Sequence, residues 1–267
     1  MPELTQRLAG HIAGYQDAPL DPAALTVAKQ CVLDWFGVTL AGLEEPVARI
    51  LREEISMDVR GRSSVVGCAL RCGTADAALI NGATSHALDY DDVHPLIGHP
   101  TAAILPAALA VGEAEGRSGI DVLRAFLAGY EAAGFIGSLV MSSHYARGFH
   151  STATLGSFGA AAAAALLMNL DAAQVATALG LAGTQAAGLK SMFGTMCKPL
   201  HAGKAAANGI FAALMAERGF TSNPEVLETA QGFAATQSSA ANVERALAGL
   251  GEHFAVRDTL FKYHAAC

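Results

Sequence analysis

The chain has 267 residues, of which 52% are hydrophobic and only 15% charged, and its formal net charge is −7. That is ample apolar material for one substantial core. The acidic balance excludes a nucleic-acid binder, which needs a basic face to neutralise phosphates, but leaves a small anionic ligand open, since a local cationic pocket can sit in an acidic protein.

In chain order, the N-terminal MPELTQRLAGHIAGY is polar and acidic where an export signal needs an apolar run. Asp21 followed by Pro22 supplies an N-cap and an N1 proline ahead of the apolar run AALTVAKQCVLDWFGVTLAGL. RSSVVGC, around Val65, is strand-like but too short to build a sheet. Helices are expected over 74–88 and 102–115. Ser118, with Asp121 three residues on, reads as a capping box before VLRAFLAGYEAAGFIGSLVM, whose apolar residues recur at helical spacing. A helix follows over 151–168, Asp171 opens another at AAQVATALGLAGTQAAGL, and 204–218 reads as one more. Nothing marks a repeat, a linker or an internal boundary, so the expectation is a single all-α domain over 1–267.

Residues 153–168 are the most apolar stretch, short of the ~20 needed to cross a bilayer. They are expected as a buried central helix whose small residues let neighbouring backbones approach closely, and no membrane partner is expected. Five cysteines (Cys31, Cys68, Cys72, Cys197 and Cys267) form no C-x-x-C pair, and Cys68 and Cys72 lack a second pair to complete a zinc site. Reduced thiols in a cytoplasmic protein are the expectation.

The chemistry concentrates in three stretches. HALDYDDVHPLIGHP (86–100) holds three histidines and three aspartates in fifteen residues. A solvated turn with Asx-type caps at Asp91 and Asp92, a metal site built from Asp89, Asp92, His94 and His99, and an acid–base site all fit that composition. HYARGFHSTATLG (144–156) brings Arg147 and His150, and FGTMCKPLHAGKAA (193–206) brings Lys198, His201 and Lys204. Each reads as a loop running into a helix N-terminus, where free backbone N–H groups favour anions. Converging, the three loops would make a pocket for a polycarboxylate, with imidazoles to move protons near neutral pH. Apart, they are three ordinary polar loops.

HALDYDDVHPLIGHP, GFHSTATLGSFGAAAAAALL and FGTMCKPLHAGKAAANG resemble, in this order, the MmgE/PrpD family. That family includes 2-methylcitrate dehydratase, cis-aconitate decarboxylase and iminodisuccinate epimerase. The resemblance runs over essentially the whole chain, including GFTSNPEVLE. It implies active-site roles for Asp89, His99, His150 and Lys198, no metal or organic cofactor, and homodimers formed through the helical domain. It also implies a lyase or isomerase, 2-methylcitrate dehydratase-like, that moves a proton beside a carboxylate of a small di- or tricarboxylate. The neighbouring Arg147, His94, His201 and Lys204 are the candidate substrate contacts. HYARGFHSTATLG and FGTMCKPLHAG are closer to the epimerase branch than to the decarboxylase. Family members continue into a second, α/β domain that closes the pocket and adds a histidine, whereas this chain stops at FKYHAAC. The expectation is therefore anion binding with little turnover, the alternative being a non-catalytic, dimer-forming helical remnant.

Overall fold

The computed structural model describes residues 3–265 apart from 57, 59, 70 and 142; Cys267, one of the five cysteines noted above, lies outside the described residues. Twelve α-helices are found among them: α1 (Leu4–Gly14), α2 (Pro22–Ala41), α3 (Pro46–Glu54), α4 (Thr74–Ser85), α5 (Pro100–Ala114), α6 (Gly119–Val140), α7 (Ser143–Ala146), α8 (Ser151–Leu167), α9 (Ala172–Gln185), α10 (Cys197–Glu217), α11 (Phe233–Gln237) and α12 (Val243–Gly249). The only strands described are β1 (Ser63–Ser64) and β2 (Arg71–Cys72), a two-residue antiparallel pair.

The start signals act as their chemistry requires. Asp21 accepts from the Ala24 N–H at 2.7 Å and caps α2. Ser118 with Asp121, and Asp171 with Gln174, form reciprocal capping boxes at α6 and α9. Two boundaries differ from expectation. Helix α4 ends at Ser85, which leaves the whole stretch 86–99 as a connection. Helix α10 begins at Cys197 rather than at 204, so Lys198, His201 and Lys204 lie on the helix and not on a loop before it. Pro199 does not prevent this, because in a first turn its missing N–H has no intrahelical partner to lose.

Helix α8 is the axis of the fold. All 17 of its residues are buried, and it packs against α10, α6, α5 and α9. The approach of α10 depends on glycine. A Cβ on Gly209 would come within 2.5 Å of the Ala161 nitrogen on α8, and one on Gly82 of α4 within 2.8 Å of Gly203 Cα on α10. Helix α6 is long and apolar enough to cross a membrane by length and composition, but 78% of its apolar window is buried in the protein interior. The chain's end folds back onto the 86–99 connection, where Val93 and Leu260 exchange backbone hydrogen bonds of 2.9 and 2.8 Å.

Ala162 is fully buried in the middle of α8. Ala162→Leu should overpack this site and destabilise the fold by about 1–3 kcal/mol, read from urea unfolding. A change indistinguishable from zero would mean that α8 is not packed as described.

Candidate functional site

Three helix starts meet at one cleft. His99 is the N-cap residue of α5 and His150 that of α8. The two ends touch directly, the His99 N–H donating to Thr152 Oγ at 3.0 Å. This contact needs Gly98, which has φ +91°, and whose Cβ, if it had one, would sit 2.6 Å from that hydroxyl. The first turn of α10 adds Lys198. The cleft has a volume of about 540 Å³, and its walls include Asp89, His94, His99, His150, Phe193 and Lys198.

Asp89 takes a left-handed backbone conformation, φ 52°, sparsely populated for most residues but open to aspartate, whose short polar side chain tolerates it. Its carboxylate faces two ammonium groups, Lys198 Nζ at 2.6 Å and Lys262 Nζ at 3.1 Å, and Lys262 also donates to the Asp89 carbonyl at 2.7 Å. Partial burial pushes the Asp89 pKa upward, but the hydrogen bond and charge of Lys198, with His99 and Lys262, hold it below its ordinary value. Lys262 reaches the site through the Val93–Leu260 pairing, from 173 residues away. No local sequence signal announces it.

Behind the cleft wall lies a layer that the solvated-turn reading did not anticipate: Asp91 and Asp92 are fully buried. Asp91 sits between two imidazoles, with His86 Nδ1 at 2.9 Å and His99 Nδ1 at 3.1 Å. Burial alone would raise its pKa; the two histidines reverse that and keep it well below the usual carboxylate range. Asp92 has no such cation beside it. It accepts from Thr101 Oγ at 2.6 Å, and its own N–H donates to Asp34 at 3.2 Å. Burial pushes its pKa up to about 7, opposed by the Thr101 hydroxyl and reinforced by the charges of Asp91 and Asp34.

The imidazoles pack together from the cleft inward: His86 lies 4.4 Å from His99, tilted, and 6.0 Å from His150, stacked, ring centre to ring centre. His150 Nδ1 is 3.0 Å from His201 Nδ1, so one of these nitrogens donates and the other accepts. Burial, then the neighbouring histidines and Lys198, lower the His150 pKa to about 2. His150 is therefore a neutral imidazole at neutral pH. His94 accepts from the Leu96 N–H at 3.1 Å, and burial lowers its pKa to about 4.

The cleft thus gathers Asp89, His94, His99, His150 and Lys198, while His201 supports His150 from outside the lining. Two further candidate substrate contacts lie outside the cleft wall. Arg147 follows the short α7, is exposed, and is absent from the cleft wall; the turn at Gly148, φ +99°, separates it from His150. Lys204 is also exposed and outside the wall. Because α10 starts early, Lys204 sits about 120° around the helix from Lys198 and points away. His144 is buried but structural, bonded to Thr154 Oγ at 2.7 Å and the Gln237 carbonyl at 3.0 Å. Among the described residues, His86, Asp89, Asp91 and His99 offer ligand atoms within 4.8 Å of one another, a different set from Asp89, Asp92, His94 and His99. Asp92 belongs instead to Thr101, and Asp89 is already neutralised by two lysines.

The profile of the MmgE/PrpD N-terminal domain matches residues 6–246. The chain belongs to the MmgE/PrpD family. Among its relatives, cis-aconitate decarboxylase of Homo sapiens is 31% identical over 244 residues, 87% of this chain and 50% of that protein. Cis-aconitate decarboxylase of Aspergillus terreus is 32% identical over 269 residues, 94% of this chain and 54% of that protein. The cis-aconitate decarboxylase-like protein oryM of Aspergillus oryzae is 29% identical over 282 residues, 98% and 58% respectively. The chain therefore spans about half the length of the curated relatives it matches. These relatives carry the decarboxylase name.

The Asp92 carboxyl gives a pH prediction. In the folded protein it holds its proton up to about pH 7, against an ordinary value of 3.8. The folded state therefore binds the extra proton between these values, and its stability contribution, complete at acid pH, is lost as the pH rises through 7. Asp92→Asn should gain stability relative to wild type as the pH is stepped from about 4 to 8. A stability difference flat across that range in urea titrations would show that Asp92 ionises as an ordinary carboxylate.

Proposed function

We propose that this chain is the anion-binding and proton-exchanging half of a cofactor-independent lyase acting on a small tricarboxylate, with decarboxylation of cis-aconitate as the favoured reaction. One observation carries the reading. Lys198, the sole Lys or Arg among the described lining residues, meets Asp89 and His99 beside the N-termini of α5 and α8. Helix N-termini and an ammonium group both attract carboxylates, and His99 Nε2, 3.5 Å from Asp89 Oδ1, faces the same space. The names of the relatives support the substrate class.

In this reading Lys198 neutralises a carboxylate that the product retains. The bond to the carboxylate on the methylene carbon breaks, and its electron pair forms the new double bond. The electrons of the old double bond take a proton at the far carbon, and CO2 leaves. His99 Nε2 is the atom placed to deliver that proton, which it carries when the ring is protonated on both nitrogens. His150, fixed as a neutral imidazole, orients the substrate by hydrogen bonding rather than by charge. Dehydration of 2-methylcitrate and epimerisation of iminodisuccinate use the same groups with a different leaving group or none. We also propose a homodimer, because Leu33, Phe36 and Leu40 form an exposed apolar stripe along α2. Light scattering at micromolar concentration should show twice the monomer mass, and a strict monomer would remove this part.

Calorimetric titration with citrate, cis-aconitate, 2-methylcitrate and iminodisuccinate tests the site. Tricarboxylates should bind with an affinity that falls with salt. Removing one charge-assisted contact, Lys198→Ala, should weaken binding roughly tenfold or more, while Lys204→Ala should leave it unchanged. Equal binding by wild type and Lys198→Ala would overturn the proposed site. Binding without turnover of any of the four compounds would favour the non-catalytic alternative.

A further inference from the structure

Asp91 and His86 line no part of the cleft, and the reading above assigns them nothing. Yet they make the most deeply buried carboxylate–imidazole pair of the molecule's described residues, with side-chain exposures of 1% and 0%. Asp91 lies directly behind His99, and its two oxygens are shared between two rings. Oδ1 and Oδ2 lie 2.9 and 3.0 Å from His86 Nδ1, and Oδ2 lies 3.1 Å from His99 Nδ1. An ionised carboxylate is acceptor-only. Any nitrogen it holds at hydrogen-bond distance must therefore be a donor, which fixes the ring's tautomer as well as its orientation.

We propose that Asp91 is the positioning residue of this site, holding both His86 and His99 with the proton on Nδ1. His99 then turns Nε2 toward Asp89 and the cleft, and Nε2 becomes the nitrogen through which a proton can be exchanged. The role of His86 is to occupy the other half of the carboxylate and to pack between His99 and His150, whose ring centres lie 4.4 and 6.0 Å from its own. The charged groups around this pair are Asp89, which faces His99 Nε2 at 3.5 Å, and Lys198, which faces Asp89 at 2.6 Å. Asp91 is the carboxylate that faces both Nδ1 atoms, and the proposal rests on those two contacts. The inference deepens the proposed function but does not need its substrate.

The chemistry of an amide supplies the test. Asp91→Asn keeps the shape but replaces two acceptor oxygens by one acceptor and one donor. Whichever way the amide is turned, its NH2 group meets at least one Nδ1 atom, at the place of Oδ1 or of Oδ2, and a ring whose Nδ1 faces that donor must take the Nε2–H tautomer to accept from it. Long-range 1H–15N correlation spectra of the ligand-free, 15N-labelled chain report the protonated nitrogen of each histidine, with His86→Gln and His99→Gln assigning the signals. Wild type should show Nδ1 protonated in both rings, and Asp91→Asn should show the switch in at least one of them. Both rings keeping Nδ1–H in Asp91→Asn would overturn the proposal. If that variant does not fold, the wild-type spectrum still decides: either ring as a neutral Nε2–H tautomer sinks it, and both as Nδ1–H support it. No substrate enters these spectra, so failure of tricarboxylates to bind would reject the proposed function and leave this inference standing.

Discussion

Everything at the cleft depends on how closely the helices of the central layer approach. Ordinary side chains hold helix axes 8–10 Å apart. Here Gly82 and Gly203 bring the backbones of α4 and α10 into contact, and Gly209 does the same for α10 and α8. With those faces nearly flat, the helix beginnings draw together, and His99, His150 and Lys198 arrive at one place although they come from three separate stretches of chain. A valine at Gly203 would disturb the site without touching it, because it would drive α10 away from the Leu79 carbonyl of α4. The alanine-rich interior thus has a consequence for the site: a core of small residues trades side-chain volume for backbone proximity, and proximity is what turns three helix starts into one pocket.

Proximity creates an electrostatic problem, and its solution organises the site. Two buried aspartates and a third half-buried one lie within four residues, in a setting where an unpaired charge costs several kcal/mol. Each is resolved differently. Asp89 is ionised against Lys198 and Lys262, Asp91 is ionised against two imidazoles, and Asp92 holds its proton up to about pH 7. The order matters from the surface inward. The outermost acid has permanent cations, the middle one has titratable partners, and the innermost has a hydroxyl donor and two neighbouring acids. Charge is thereby concentrated where a ligand could use it and suppressed where it could only destabilise.

How much of this could be read in the sequence follows from the same physics. Local rules reached the features set by local chemistry: the caps at Asp21, Ser118 and Asp171, the all-helical class, and the burial of α8. The three polar stretches were visible as departures from an apolar background. What escaped was set by geometry at a distance. Lys262 is delivered by a backbone pairing to a loop 173 residues earlier. Arg147 and Lys204 share motifs with true lining residues but lie on the wrong side of a turn and of a helix. Asp91 and Asp92 look like turn residues because solvated turns use the same letters; their buried partners, His86 and His99 for the one, Thr101 and Asp34 for the other, are set by the fold.

The state of His150 shows why a histidine-rich pocket need not be cationic. Placed at a helix N-terminus, near three other imidazoles and an ammonium, its protonation is opposed by every neighbour as well as by burial. A protonated ring there would repel Lys198 and compete for whatever anion the cleft admits. A neutral ring can still donate one hydrogen bond while leaving the field of Lys198 and the helix ends undivided. His99 is placed in the opposite setting, with a carboxylate facing each of its nitrogens. Two histidines at matching N-cap positions of adjacent helices are thus driven to different chemistry by what lies behind them: an imidazole for His150 and an aspartate for His99. That division of labour is what an acid–base site requires, and it arises from the second layer of residues rather than from the cleft wall itself.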